Sequence, residues 1–138
     1  MNQPIVLGHA EMDDVHAEFE ELLSTAGVCS DQELLCTLDA LIVHLESHFA
    51  MEDNWMSGGD FPPRDCHAAE HAAVLRSASE VRPLVAAGNF VIGRSFIRAL
   101  GEWFPAHATH LDSALATWIC KQRLGAKPLV FHRGVATH

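Results

Sequence analysis

Four stretches of this chain repeat apolar residues at the spacing of a helix, and that periodicity restricts the fold more than any other feature. In MDDVHAEFEELLSTAG, Met12, Val15, Phe19, Leu22, Leu23 and Ala26 share one stripe that ends at Gly27, with His16 on the same side. Ser30 and Glu33 form a capping-box pattern, which opens a second helix expected over about residues 31–57. After the turn-rich SGGDFPP, a third helix runs through RDCHAAEHAAVLRSASEVRPLVAAG, with Asp65 in its early turn and Gly88 near its end. Pro83 is expected to kink or shorten its last part. Asn89 caps a fourth helix, in which Pro105 predicts a kink, with Gly101 four residues earlier where the carbonyl clash would be worst.

Four amphipathic helices joined by short breaks bury their stripes best against one another. The expectation is therefore an all-α fold, an up-down-up-down antiparallel four-helix bundle. With 138 residues and 49% hydrophobic content the chain suits a single domain: a bundle over about 12–122, an arm at 1–11 and a tail at 123–138.

Composition removes several classes of function. Nine Lys plus Arg against eighteen Asp plus Glu give a net charge of −9, the wrong sign for the phosphate contacts of nucleic-acid binding. No run of eighteen apolar residues and no signal-peptide pattern is present, so a cytoplasmic protein with no membrane association is expected. Cys29, Cys36, Cys66 and Cys120 form no CxxC pair and read as reduced thiols; Cys66, beside His67, is expected to pack as a small hydrophobe rather than bind metal.

Ten histidines are the outlying count, because neutral imidazole is the commonest side-chain metal ligand. His48 and Glu52, and again His67 and His71, are four residues apart, so each pair projects from one helical face within roughly 40°. His16 and His107 also fall on inner faces, and Asp112 joins them from the fourth helix. On an ideal α-helix the five-residue offset from His107 to Asp112 is roughly 140°, so Asp112 is expected to reach across rather than grip beside His107. Burying five imidazoles and two carboxylates uncompensated would cost roughly 2–7 kcal/mol per unpaired polar group, a cost that metal coordination removes. Seven ligands exceed one tetrahedral zinc, whereas two octahedral ions sharing two bridging carboxylates and a bridging oxygen use them fully. No Glu-x-x-His, the ferritin-like di-iron motif, occurs; the nearest approach is Asp13-x-x-His16.

These residues resemble the hemerythrin family, bacteriohemerythrins in particular, from about Met12 to about Ile119. MDDVH is similar to the first-helix motif that ends in a ligand histidine, and HFAMEDNWM to the family's HFxxEExxM, with Asp53 in place of the second Glu. The pair Phe61-Pro62 stands where the family has Tyr-Pro, HAAEH matches the HxxxH pair and WFPAHATHLD the WxxxHxxxxD motif. The resemblance implies two iron ions with a bridging oxo or hydroxo group. His67, His71 and His107 would hold one iron, His16 and His48 the other, and Glu52 and Asp112 would bridge. It implies reversible dioxygen binding at the iron with two histidines, for storage, delivery or sensing, with azide or other small anions as analogues and a redox or oxygen-accepting protein as partner.

Trp103, Phe104 and Ala108 match the family's dioxygen-pocket positions. Ala108 is small where relatives often carry a bulkier aliphatic residue, which predicts a roomier pocket and faster autoxidation. The rival reading is a di-iron enzyme that reduces peroxide, dioxygen or nitric oxide; an oxygen-binding protein is preferred to it. His44, one turn before His48, is a candidate for a supporting group or a channel lining, and His110 could compete with Asp112 if the helix changes phase. His9, His132 and His138 lie in weakly patterned ends and are expected in solvent.

Overall fold

A computed structural model describes residues 5–57 and 61–124 of the chain. Its helices are α1 (Ala10–Val28), α2 (Asp31–Ser57), α3 (Arg64–Ala86), α4 (Phe90–His107) and α5 (Ser113–Leu124), with a five-residue π-helical turn, Ala108–Asp112, joining the last two. In sequence α1 packs on α2, α2 on α3 and α3 on α4, while α1 closes the ring on α4. The connections at residues 29–30 and 87–89 are too short to do anything but reverse the chain, so neighbours run antiparallel in an up-down-up-down bundle. His132 and His138 lie outside the described residues, as do the tail from 125 onward and residues 1–4.

The helix ends form where local chemistry provides partners for backbone groups. At the start of α2, Ser30 Oγ accepts the Glu33 amide at 3.3 Å and the Glu33 carboxylate accepts the Ser30 amide at 3.1 Å, the expected reciprocal cap. Asn89 Oδ1 accepts the Ile92 amide at 3.2 Å and starts α4. Just before it, Gly88 takes a positive φ of 98°, letting its amide reach the Val85 carbonyl and the Asn89 amide reach that of Leu84. The cap of α1 is His9, whose Nδ1 accepts the Met12 amide at 3.1 Å. His9 is buried against Trp55, with ring centroids 4.8 Å apart, rather than lying in solvent as its place in the sequence suggested.

Neither proline ends its helix. Pro83 and Pro105 are exposed, and so are Ser79 and Gly101 four residues before them, so each carbonyl that loses its donor is left on the wet side of the bundle. The irregularity in the fourth helix comes three residues after Pro105, at the π-turn.

Two apolar clusters make the core. The larger joins Phe19, Leu34, Leu38, Leu41, Leu45, Phe49, Val85, Ile97, Leu100, Phe104 and Ala108; the smaller joins Met12, Met56, Phe61, Leu115, Ala116 and Ile119. Each fully buried Leu or Phe contributes about 1.5–3 kcal/mol relative to exposure. Gly93 matters to the larger cluster because a Cβ there would stand 2.6 Å from Val85 Cγ2 and 3.2 Å from Leu34 Cδ2, so α4 approaches α2 and α3 only without a side chain. By length and composition α2 is apolar enough to cross a membrane, but it buries His44, His48 and Glu52 among its packing partners, as a core helix of the bundle.

Candidate metal centre

Between the two apolar clusters lies one polar layer. Along α1 the order is Met12, His16, Phe19; along α2 it is Phe49, Glu52, Met56; along the fourth helix it is Phe104, His107, Asp112, Leu115. All seven residues that the sequence nominated, His16, His48, Glu52, His67, His71, His107 and Asp112, are buried in this layer, each at most 3% exposed.

The two carboxylates divide their oxygens between two sets of imidazoles. Glu52 Oε1 stands 3.3 Å from His67 Nε2 and 3.1 Å from His71 Nε2, while Glu52 Oε2 stands 2.8 Å from His48 Nε2 and 3.6 Å from His16 Nε2. Asp112 Oδ1 stands 2.8 Å from His67 Nε2 and 3.1 Å from His107 Nε2, while Oδ2 stands 2.9 Å from His16 Nε2. Two convergent pockets result, in which the donor atoms lie within 4.8 Å of one another: His67, His71 and His107 with both carboxylates, and His16 and His48 with both carboxylates.

The layer is short of hydrogen bonds for its density of polar atoms. Glu52 Oε1, both Asp112 oxygens, and Nε2 of His16 and of His67 are buried with no hydrogen-bond partner, although their separations are short. Such atoms would cost about 1–3 kcal/mol each if left so. They converge on shared space instead of aligning in donor and acceptor pairs, which is how lone pairs are arranged around a cation. Five imidazole nitrogens and two carboxylates therefore fit two first-row metal ions better than an internally satisfied polar core.

Electrostatics agree with a site built for positive charge. Burial opposes the charged form of His16 and of His67, yet the carboxylates of Asp112 and Glu52 outweigh it and raise both imidazoles to about 9. Burial likewise opposes ionisation of Glu52 and Asp112, but the surrounding histidines hold both carboxyls well below the ordinary range. Metal-free, the layer balances its carboxylates with protons on imidazole; a cation would replace them.

Asp112 does not reach across from the far side of its helix. The π-turn closes bonds five residues apart, as from the Ser113 amide to the Ala108 carbonyl, so residues at i and i+5 come one turn apart. His107 and Asp112 thus share a face, correcting the 140° separation expected of an α-helix. His110, inside the same turn, is exposed and takes no part. Cys66 is exposed as well, neither ligand nor core. Asp13 is turned to the N-terminal arm, accepting the amides of Leu7 at 2.7 Å and Gly8 at 3.1 Å.

Around the layer, aromatic rings and two carboxylates set the imidazole planes. Phe49 stacks on His71 with centroids 4.0 Å apart, and Trp103 stacks on His107 at 4.3 Å. Phe104 meets His16 edge-on at 5.0 Å, on the two-histidine side, and Ala108 is fully buried in the larger cluster. Of the three residues expected to line a dioxygen pocket, Trp103 therefore stands on the three-histidine side and Phe104 on the other. His44 touches His48 edge-on at 5.3 Å, stacks on Phe19, and has its Nδ1 3.1 Å from the Glu18 carboxylate, with no bond to a residue of the layer.

The chain matches the model of the hemerythrin HHE cation binding domain over residues 7–119. The chain belongs to the hemerythrin family. It is also 39% identical, over 121 residues that cover 88% of each chain, to a bacteriohemerythrin from Ralstonia nicotianae (strain ATCC BAA-1114 / GMI1000). No solved structure matches the chain. Against the hemerythrin motifs, two residues of the site went unread. Asp53 accepts His71 Nδ1–H at 2.9 Å, and Glu70 accepts both His107 Nδ1–H at 2.8 Å and Trp103 Nε1–H at 3.1 Å. Asp53 was visible as the substituted position of HFxxEExxM; Glu70, inside HAAEH, carried no signal, because its partners lie on another helix.

Proposed function

We propose that this hemerythrin-family protein binds dioxygen reversibly at a non-haem di-iron centre. In this reading His67, His71 and His107 hold one iron, His16 and His48 hold the other, and Glu52 and Asp112 bridge them. The observation that carries it is the division of each carboxylate, one oxygen toward each histidine set. The bacteriohemerythrin relative supports the choice of ligand and metal.

Two reduced irons would supply one electron each to dioxygen and recover them on its release. The protein's share is to hold and to exclude. Glu52 and Asp112, kept ionised, offset the charge of the ions. The His16 and His48 half has one nitrogen donor fewer than the other, which leaves room there for a diatomic ligand. Phe19 and Phe104, ring to ring at 4.8 Å beside His16 and His48, would keep water from that half. We place the protein in the cytoplasm on the same reading, with an oxygen-accepting or redox protein as its partner.

The test is anaerobic. Iron per chain is counted, the protein is reduced, oxygen is admitted and then removed, and the visible spectrum is followed throughout. Two irons with a reversible charge-transfer band are expected. Two irons with immediate irreversible oxidation would replace oxygen binding with an enzyme reducing dioxygen, peroxide or nitric oxide, and absence of stoichiometric iron would remove the centre itself.

A further inference from the structure

The outer nitrogens of the five histidines are treated unequally. In the three-histidine pocket, His71 Nδ1–H donates to Asp53 at 2.9 Å and His107 Nδ1–H to Glu70 at 2.8 Å. Nδ1 of His67, in the same pocket, and Nδ1 of His16 and of His48, in the two-histidine pocket, are buried with no hydrogen-bond partner, so carboxylates back two of the three imidazoles on one side and neither on the other. A carboxylate behind an imidazole fixes the proton on Nδ1, aims the Nε2 lone pair inward and makes it a better donor, so that it raises metal affinity. Glu70 does more than Asp53, because it also accepts Trp103 Nε1–H at 3.1 Å while Trp103 stacks on the His107 ring. One side chain thereby locks both the tautomer and the plane of His107.

We propose that Glu70 is a positioning residue for His107 and that, with Asp53, it makes the three-histidine pocket the tighter of the two metal sites, loaded first and emptied last. The inference rests on the metal-centre reading and goes beyond it, since two ions could equally bind with one affinity.

The full-length protein, stripped by chelator, is titrated with zinc against a competing chelator and followed by native mass spectrometry. Two successive ions are expected, the first at least about tenfold tighter, with His16→Ala keeping that first event and His107→Ala losing it. Glu70→Ala should weaken the first event about 10–100-fold, and Glu70→Gln, which retains an acceptor oxygen, should restore part of it. Nitrogen-15 spectra of the zinc-loaded, folded protein should show the His107 Nδ1–H proton displaced downfield by its bond to Glu70 and moved upfield in Glu70→Ala, with the His71 Nδ1–H signal unchanged, a site-specific shift that general loss of stability does not produce. Two ions bound with equal affinity, or a first event unchanged in Glu70→Ala, would overturn the inference while leaving the metal centre intact. No stoichiometric zinc in the natural protein would overturn both.

Discussion

Asp112 Oδ1 lies 3.1 Å from His107 Nε2, two side chains five residues apart that a π-turn brings onto one face. In effect the fourth helix holds one extra residue within an α-helical run, and the extra residue is absorbed in a turn whose Thr109 and His110 face solvent.

Removing that extra residue tests the relationship. Deleting His110 would restore an α-turn and leave the aspartate four positions after His107, still on the same face. Two metal ions per chain are the expected outcome, whereas Asp112→Ala should lose at least one. A deletion variant that bound no metal would show that the π-turn itself is required.

The charge balance of the layer predicts how the metal-free protein responds to pH. His16 and His67 have folded values of about 9, above the ordinary 6.5, so their contribution to stability is complete below about pH 6.5 and is lost as pH rises through 9. Glu52 and Asp112 are depressed, and theirs holds above the ordinary carboxylate range and disappears in acid. Urea midpoints of stripped protein at pH 6, 7.5 and 9 should fall in that order. With zinc present the trend should reverse, because the ion displaces those protons and binds more tightly as pH rises. A flat midpoint across the window would contradict the assignment.

Phe104 belongs to the larger apolar cluster, meets the His16 ring edge-on at 5.0 Å and is 2% exposed. Phe104→Ala should cost about 3–5 kcal/mol of stability, read from denaturant unfolding, and should admit water beside His16. The oxygenated spectrum of the variant should decay faster than that of the natural protein; equal decay would deny Phe104 its water-excluding role.

Ala108 is buried without residual exposure. Ala108→Ile is expected to fill space beside the polar layer and to slow autoxidation. Unchanged oxidation would remove the idea that the small side chain leaves a roomier pocket.

Gly93 offers a control in the apolar core. Gly93→Ala would force its Cβ against Val85 and Leu34 and should cost about 1–3 kcal/mol, with the metal count per chain unchanged. A fall in metal content would mean that the apolar end of the bundle and the polar layer are mechanically linked.

What the sequence determined by itself was the part of the protein governed by local periodicity. The Leu34, Leu38, Leu41 and Leu45 stripe, the Ser30 and Glu33 cap and the four-residue spacing of His48 with Glu52 and of His67 with His71 each follow from 3.6 residues per turn. Six of the seven buried residues, His16, His48, Glu52, His67, His71 and His107, follow from that periodicity, whereas the placing of Asp112 does not. Tertiary structure alone decided the rest, because it depends on relations between helices and on departures from the ideal turn. Only packing brought Glu70 of α3 to His107 and Trp103 of α4, and only the fold buried His9 against Trp55. The π-turn that brings Asp112 to its partners lengthens one helical turn by a residue. A periodicity argument assumes every turn is the same, and that assumption fails at the turn on which the site depends.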